Sequence, residues 1–257
     1  MKAKKDIIIN GRSLKDILDL HELFLISNGK EGERANLEYA NLEYANLQDV
    51  NLKRACLYNA CLKDANLKDA TLTGADLKCA NLQGANLKCA CLYNACLINA
   101  CLYNACLINA YLEGADLEEA NLEGANLFRA NLERANLENV IYNHTTLFYA
   151  LQCPEEGSFI GYKKAGECIV KLEILESSKR SSATTRKCRC DKALVISIKD
   201  METGEMMKEV PSDRDESFIY KVGEVVSVDD FNEDRWVECT TGIHFFMTKH
   251  EAESYDV

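Results

Sequence analysis

A five-residue repeat governs residues 35–139 and constrains the fold of this chain more than any other feature. Each unit contains Ala, then usually Asn, Asp or Cys, then Leu, and then two variable residues, as in "ANLQG" and "ADLKC". All 21 units carry the Leu, and 20 carry the Ala, with Val50 as the exception. Repetition of this regularity identifies a repeat architecture before any local propensity is considered.

A period of five excludes both an α-helix and a flat strand. Five helical residues rotate by about 500°, so successive Leu side chains would point about 140° apart. In a strand, an odd period alternates faces. A solenoid that turns a corner every five residues keeps Ala and Leu inside. The second position after Leu is Asn, Asp or Gly in 13 of the 21 units, and these residues tolerate tight turns.

The array resembles the pentapeptide-repeat family, whose motif is Ala-Asn/Asp-Leu-x-x. This resemblance implies an all-β solenoid, specifically a right-handed quadrilateral β-helix with four units per coil, in which residues 20 apart stack. Leu side chains are then expected in the core of every coil. Six of them mark successive coils: Leu37, Leu57, Leu77, Leu97, Leu117 and Leu137.

Segments on either side of the array complete a three-part organisation. Residues 1–34 are predicted to cap the N-terminal end, with a helix over about 14–27 that starts at a Ser13–Asp16 capping box and a short strand at Ile7–Ile9. The β-helix is assigned to 35–150, where 140–150 are imperfect units that close the last coil. A mainly β domain is assigned to 151–257.

The C-terminal domain is predicted from short apolar runs such as "ECIVKLEIL" and "ALVISI", followed by a terminal helix in "TKHEAESY". Three of its stretches resemble a tail domain that accompanies many bacterial and phage pentapeptide-repeat proteins. These are "GYKKAGECIVKLEI", "RKCRCDKALV" and "ECTTGIHFFMTKHEA". The function of that tail domain is uncharacterised, so the resemblance does not indicate an activity for residues 151–257.

Composition narrows the classes of function. The formal net charge of −11 disfavours a general nucleic-acid binder, which needs a basic face. No apolar run approaches the length of a membrane span or a secretory signal. We therefore expect a cytoplasmic protein with no membrane association. In that compartment its 13 cysteines are expected to be reduced thiols.

Four cysteines are spaced five residues apart in "CLYNACLINACLYNACLINA": Cys91, Cys96, Cys101 and Cys106. With four units per coil they lie on four faces of one coil, which cannot supply the tetrahedral sulfurs of a zinc site. Their stacked neighbours are not cysteines, and Cys56 lies two coils from Cys96, beyond disulfide reach. Free thiols are the favoured interpretation, with a metal or redox role as the alternative.

The same coil carries apolar residues directly after each Leu, where other coils mostly carry Lys or Glu. We call Tyr93, Ile98, Tyr103 and Ile108 the belt. Residues 51–90 carry six basic and three acidic side chains, whereas 111–140 carry two basic and seven acidic ones. An apolar belt between charged coils can mark a contact surface. The alternative is a ten-residue duplication with no selected role.

Reactive residues in the C-terminal domain are few. Zinc could be considered for Cys168, Cys188, Cys190, Cys239 and His244. However, "CRC" lacks the usual Cys-x-x-Cys spacing, and the sequence does not show whether the five come together. Buried structural cysteines are therefore the favoured interpretation. His244 is the one plausible reactive group, although strand alternation explains its position equally well. The basic run "KRSSATTRKCRC" is expected to be a solvated loop, with binding of anions or nucleic acid as the alternative.

These observations favour a non-catalytic interaction or scaffold protein with an unknown protein partner, no cofactor and no metal. The sequence leaves a homodimer open. One alternative is a DNA-mimic regulator of DNA gyrase, a role that the family resemblance brings with it. Residues 35–139 sum to only −5, with a basic excess at 51–90, whereas a DNA mimic needs negative charge along its length. The other alternative is an enzymatic or metal-binding role for the C-terminal domain.

Overall fold

The computed structural model describes residues 3–237 and 240–255. The chain folds into two compact units, Met1–Ala150 and Leu151–Val257. Among the described residues, no helix has the length and apolar character required to cross a membrane.

The first unit begins with four short elements. They are a 3-10 turn (Lys4–Asp6), strand β1 (Ile8–Ile9), strand β2 (Arg12–Ser13) and helix α1 (Leu14–Ile26). The hydroxyl of Ser13 accepts the N–H of Asp16 at 3.1 Å and caps the helix. Asn28 and Gly29 adopt φ of 53° and 81°, which ends the helix in the left-handed region. The helix thus occupies nearly the residues predicted for it.

A buried histidine joins α1 to the first repeat. His21 is 0% exposed, and its Nδ1 accepts the N–H of Ala35 at 3.1 Å. The acceptor role of Nδ1 requires the neutral imidazole. Burial lowers the pKa of His21, while Glu22 and the carbonyl of Lys53 partly oppose that shift. The helix is therefore attached to the array through the His21 imidazole, whose Nδ1 can no longer accept the Ala35 N–H once it is protonated.

The repeats form a β-helix-type solenoid. Parallel bridges join residues 20 apart from Asn36↔Cys56 onward to Asn121↔Ile141, so four units make one turn. Between turns, each repeat Leu N–H from Leu37 to Leu122 donates to the carbonyl of the residue 19 positions later, as from Leu97 to Asp116 at 2.6 Å. Ala and Leu point inward, and from Leu37 to Leu132 every repeat Leu is at most 1% exposed.

Every corner of the array uses the left-handed backbone region. All 21 residues at the second position after Leu have φ between 52° and 70°. Asn, Asp and Gly take that conformation readily. Eight corners hold other residues: Tyr39, Tyr44, Arg54, Cys79, Cys89, Glu119, Arg129 and Arg134. Solenoid geometry therefore imposes φ even where the side chain disfavours it.

The Asn or Asp before each Leu stabilises the corner that follows. Its side-chain oxygen accepts the N–H two residues later, as Asn81 does from Gln83 at 3.0 Å and Asn121 from Glu123 at 2.9 Å. This is an Asx turn. In the coil of residues 91–110 a thiol replaces the carboxamide or carboxylate, so that coil lacks these bonds.

The last coil is imperfect, as the sequence predicts. Leu147 bridges Asn126 at a separation of 21 residues rather than 20, and Thr146 Oγ1 donates to the carbonyl of Leu122 at 3.0 Å. Leu137 was expected to be a core residue, but it is only half-buried. Few turns of the chain follow it, so its side chain is covered less completely than those of the inner coils.

The described residues of the second unit form ten strands and one helix. These are β3 (Phe159–Ala165), β4 (Cys168–Ile174), β5 (Arg180–Ser182), β6 (Cys188–Cys190), β7 (Lys192–Asp200), β8 (Met206–Met207), β9 (Glu209–Pro211), β10 (Ile219–Lys221), β11 (Val225–Ser227), β12 (Ile243–Phe245) and α2 (Lys249–Glu253). Thr248 and Glu251 form the predicted capping box of α2.

Two antiparallel sheets dominate this unit. One has the order β11-β7-β4-β3, with β8 also paired to β7, and the other has the order β12-β6-β5. A bridge between Tyr162 and Phe246 connects them. Val170, Leu172 and Val195 from the first sheet pack with Phe245 from the second in one buried cluster. A separate two-stranded sheet pairs β9 with β10.

Acid is expected to weaken the attachment of α1. Since burial depresses the pKa of His21 below 6.5, the unfolded chain binds the proton first, and stability falls as pH drops below that value. His21→Leu leaves the Ala35 N–H unsatisfied and should lower the free energy of unfolding by about 1–3 kcal/mol at neutral pH. That difference should shrink at about pH 5, as measured by urea titration.

Exposed His144 provides the matched control. His144→Leu should change the free energy of unfolding by less than about 0.5 kcal/mol. A wild-type minus His21→Leu difference that stays constant from neutral to acidic pH would contradict the role assigned to the imidazole.

Restoring one Asx turn should stabilise the coil of residues 91–110. In Cys101→Asn the new Oδ1 can accept the N–H of Tyr103, as in the stacked units of Asn81 and Asn121. We expect a gain of about 0.5–1.5 kcal/mol in the free energy of unfolding, measured by urea titration. Cys101→Ala removes the sulfur without supplying an acceptor. Equal stability of the two variants would show that the missing hydrogen bond is irrelevant.

Candidate functional site

The belt lies on four consecutive units of a single turn of the solenoid. The carbonyl of Tyr93 accepts from Gly74 at 2.8 Å, and the N–H of the next residue, Asn94, donates to Glu113 at 3.1 Å. Tyr103 has the same pair of bonds: its carbonyl accepts the N–H of Gly84, and the N–H of the next residue, Asn104, donates to the carbonyl of Glu123. Because the backbone at each belt residue is hydrogen-bonded to the coils on both sides, the points from which the belt side chains project are fixed.

Exposure differs along the belt. Tyr103 is 39% exposed, whereas Tyr93, Ile98 and Ile108 are half-buried. The ring of Tyr93 stacks on that of Tyr111, with ring centroids 5.8 Å apart. This contact holds one aromatic ring against the next coil and leaves the other, Tyr103, more accessible.

Charged residues of opposite sign flank the belt. The bridges between coils place Lys78 before Ile98 and Glu118 after it, and the backbone bonds from the Cys79 N–H to Ile98 and from the Asn99 N–H to Glu118 follow the same order. Glu113 and Glu123 likewise follow Tyr93 and Tyr103. At the positions directly after Leu, three successive coils therefore present two lysines, then the apolar belt, then three glutamates.

On one face the apolar surface extends beyond the belt. Asn109, next to Ile108, donates its backbone N–H to the carbonyl of Phe128 at 2.9 Å, so Phe128 lies in the next coil. The ring centroid of Phe128 is 4.9 Å from that of Phe148. The sequence interpretation missed this extension, although the 20-residue spacing of 108, 128 and 148 would have revealed it.

The repeat cysteines behave as free thiols. Cys96 bridges Asp76 and Asp116, and Cys101 bridges Asn81 and Asn121, as the stacking predicts. None of the twelve cysteines in the described residues forms a disulfide. Among those residues no group of three or more His, Cys, Asp or Glu side chains could hold a metal ion.

The cysteines and histidine considered for zinc are dispersed. Cys188 and Cys190 lie on β6 opposite Phe245 and Ile243, whereas His244 lies opposite Arg189. Since side chains alternate along a strand, His244 is on the other face from both sulfurs. Cys168 is buried at the start of β4. Cys239 lies outside the described residues.

A cysteine pair that the sequence did not suggest lies in the core of the second unit. The N–H of Gln152 donates to Ser182 Oγ at 2.8 Å, and Ser182 pairs with Cys188 across β5 and β6. This brings Cys153 beside Cys188. A hydrogen bond from the Cys188 thiol lowers the pKa of Cys153 against the effect of burial, with Arg180 contributing in the same direction. The pKa of Cys188 is raised correspondingly.

The expectation that the run "KRSSATTRKCRC" forms a solvated loop is wrong. Ser181, Ser182 and Thr184 are at most 3% exposed, and Arg189 is 2% exposed. The side chain of Arg189 donates to the carbonyl of Asn232 at 3.0 Å and to that of Asp234 at 2.5 Å. The run contains β5 and β6, and Arg189 ties the loop at residues 232–234 to β6 through its hydrogen bonds to these carbonyls.

Arg180 also donates to backbone carbonyls, and to more of them than Arg189. Its guanidinium donates to the carbonyls of Gly157 at 2.7 Å, Leu175 at 2.8 Å and Glu176 at 3.0 Å. It also lies 5.3 Å from the ring centroid of Phe159. These contacts give the basic run a structural role in the second unit.

Comparison with family models divides the chain as the structure does. The model described as pentapeptide repeats (8 copies) matches residues 33–69, 65–102 and 105–141. A family of unknown function (DUF5758) matches residues 149–252. Among proteins with curated descriptions, none matches this chain.

Solved structures similar to the chain are pentapeptide-repeat proteins. HetL of the cyanobacterium Nostoc sp. strain PCC 7120, involved in heterocyst differentiation regulation, is 37% identical over 44% of this chain and 57% of its own, with a TM-score of 0.31. A pentapeptide repeat protein of the Arabidopsis thaliana thylakoid lumen is 31% identical over 38% of this chain and 69% of its own, with a TM-score of 0.38.

More distant is QnrB1, a plasmid-mediated fluoroquinolone resistance protein. It is 17% identical over 46% of this chain and 70% of its own length, with a TM-score of 0.19. The chain thus spans little more than half of HetL and about two thirds of the other two structures.

Proposed function

Because the chain belongs to the pentapeptide-repeat family, we propose that it is a non-catalytic interaction protein whose array forms a right-handed quadrilateral β-helix. Four units per turn support the quadrilateral cross-section, and membership of the family supports the right hand. In this proposal the array is the rigid display element.

The proposed contact surface is the belt with its extension at Phe128. The observation that carries it is that Tyr or Ile fills all four positions directly after Leu in one coil, whereas the coil before it has two lysines at these positions and the coil after it has three glutamates. Exposed aromatic residues are frequent anchors of protein interfaces. The partner should therefore present an apolar strip with acidic side chains along one edge and basic ones along the other.

Adding charge to the belt should abolish capture of this partner. Tyr93→Lys combined with Tyr103→Lys places two cations in the apolar coil, and we expect at least about a tenfold loss of bound partner. The measurement is affinity capture from a bacterial lysate with the full chain as bait, followed by quantitative mass spectrometry.

The matched control changes the same faces one coil earlier. Thr73→Lys with Gln83→Lys adds the same charge and leaves the belt intact, so capture should persist. Equal capture by the two double variants, with melting temperatures like that of the wild type, would overturn the belt as the contact surface.

A DNA-mimic regulator of DNA gyrase is the competing role. The positive charges of the first coils and the apolar belt interrupt the negative surface that such a mimic requires. We expect micromolar protein to leave DNA supercoiling by gyrase unchanged, both with and without a fluoroquinolone. Inhibition of supercoiling, or protection against the drug, would replace the belt proposal with this one.

A further inference from the structure

A lysine in the second unit occupies a position that normally holds a core residue. Phe159, Gly161, Lys163 and Ala165 share one face of β3, because side chains alternate along a strand. That face packs inward: Ala165 is 0% exposed, and a Cβ on Gly161 would lie 2.6 Å from the ring of Phe245. Lys163 thus projects from the inner face of the sheet.

The space beside Lys163 is a cavity of about 450 Å³. This volume lies in the range of small-molecule sites, about 300–1,000 Å³. Its walls come from β3, β10, β12 and the loops near them. One side is apolar and includes Phe218, Tyr220 and Ile243. The other is polar and carries charges of both signs: Lys163 and Arg214 are cationic, and Asp215 and Asp230 are anionic.

Lys163 has no ion-pair partner among the described residues. Its Nζ instead lies 5.8 Å from the ring centroid of Tyr220, which is 2% exposed. Asp213, the acidic residue with the largest influence on it, already accepts the N–H of Gly166 at 2.5 Å. The ammonium is therefore partly removed from water and, among the described residues, has no carboxylate in direct ion-pair contact.

The pKa of Lys163 is consistent with this environment. Burial lowers it, Asp213 opposes the shift, and the positive charges of Arg214 and Lys187 add to the lowering. Surroundings of this kind favour an anion, because a charge-assisted hydrogen bond strengthens where water is scarce.

We propose that this cavity binds a small aromatic carboxylate, with the carboxylate on the ammonium of Lys163 and the ring against Tyr220 and Phe218. The geometry accounts for both parts of the ligand. Lys163 lies where the polar wall meets the apolar wall and has no ion-pair partner in the described part of the chain, so it can pair with one negative group, and the aromatic wall adds buried area and ring contacts. The proposal is independent of the belt, which lies in the other unit.

The test is isothermal titration calorimetry on the full chain with four probes: 1-naphthoate, benzoate, benzamide and inorganic phosphate. We expect 1-naphthoate to bind more tightly than benzoate, and the neutral amide and phosphate to bind at least about tenfold more weakly than 1-naphthoate. Absence of binding by either carboxylate at millimolar concentration would overturn the proposal. Phosphate binding as tightly as 1-naphthoate would overturn the aromatic requirement.

Two variants locate the site. Lys163→Met should weaken 1-naphthoate at least about tenfold. Lys171→Met is the matched control, since Lys171 lies on the adjacent strand β4 and projects from the opposite face of the sheet; it should bind within about twofold of the wild type. Equal affinity of the two variants would overturn the assignment of Lys163.

A second measurement avoids any effect of Lys163→Met on folding. Acetylation of wild-type lysines by an N-hydroxysuccinimide ester, quantified by peptide mass spectrometry, should slow at Lys163 when 1-naphthoate is present and stay unchanged at Lys171. Unchanged labelling of Lys163 at a saturating concentration of 1-naphthoate would show that the ligand binds elsewhere.

Discussion

The hydrogen bond between a backbone N–H in one coil and a carbonyl in the next is the interaction on which the array depends. It is made at the Leu and again at the corner of each unit that has a complete coil after it, as from Asn99 to Glu118 at 2.9 Å. To keep this register, one residue per unit must take a left-handed φ, including Arg54 and Glu119, whose side chains disfavour it. Burial of the leucines, about 1.5–3 kcal/mol each, compensates for that local strain.

The fold of the array could be predicted from the sequence because one period specifies core, corner and stacking together. Ala and Leu identify the inside, and the spacing of five excludes every regular alternative. The stacked neighbours of Cys96 and Cys101 followed from the same rule. Burial at the C-terminal end of the array was predicted less well, because a coil near the end of a stack has fewer neighbours. Leu137 is half-buried for that reason.

The second unit could be predicted less completely, because its packing depends on contacts between distant segments. The strand β3 was missed, since "GYKKA" lacks the apolar alternation of a strand, yet its Lys163 lies on an inward face. The arginines of the basic run were assigned to solvent because nothing local shows that Arg189 meets carbonyls at residues 232 and 234. Cys153 belongs to no motif, and only the fold brings it beside Cys188.

The coil of residues 91–110 departs from the other coils in two ways. Cys at 91, 96, 101 and 106 removes the Asx bonds of the coil, while Tyr and Ile add apolar surface beside them. One ten-residue duplication would explain both changes without any selected role. It does not explain Phe128 and Phe148, which continue the face of Ile108 outside the duplicated segment. The strip of Ile108, Phe128 and Phe148 crosses three coils, which fits a contact surface better than a ten-residue duplication does.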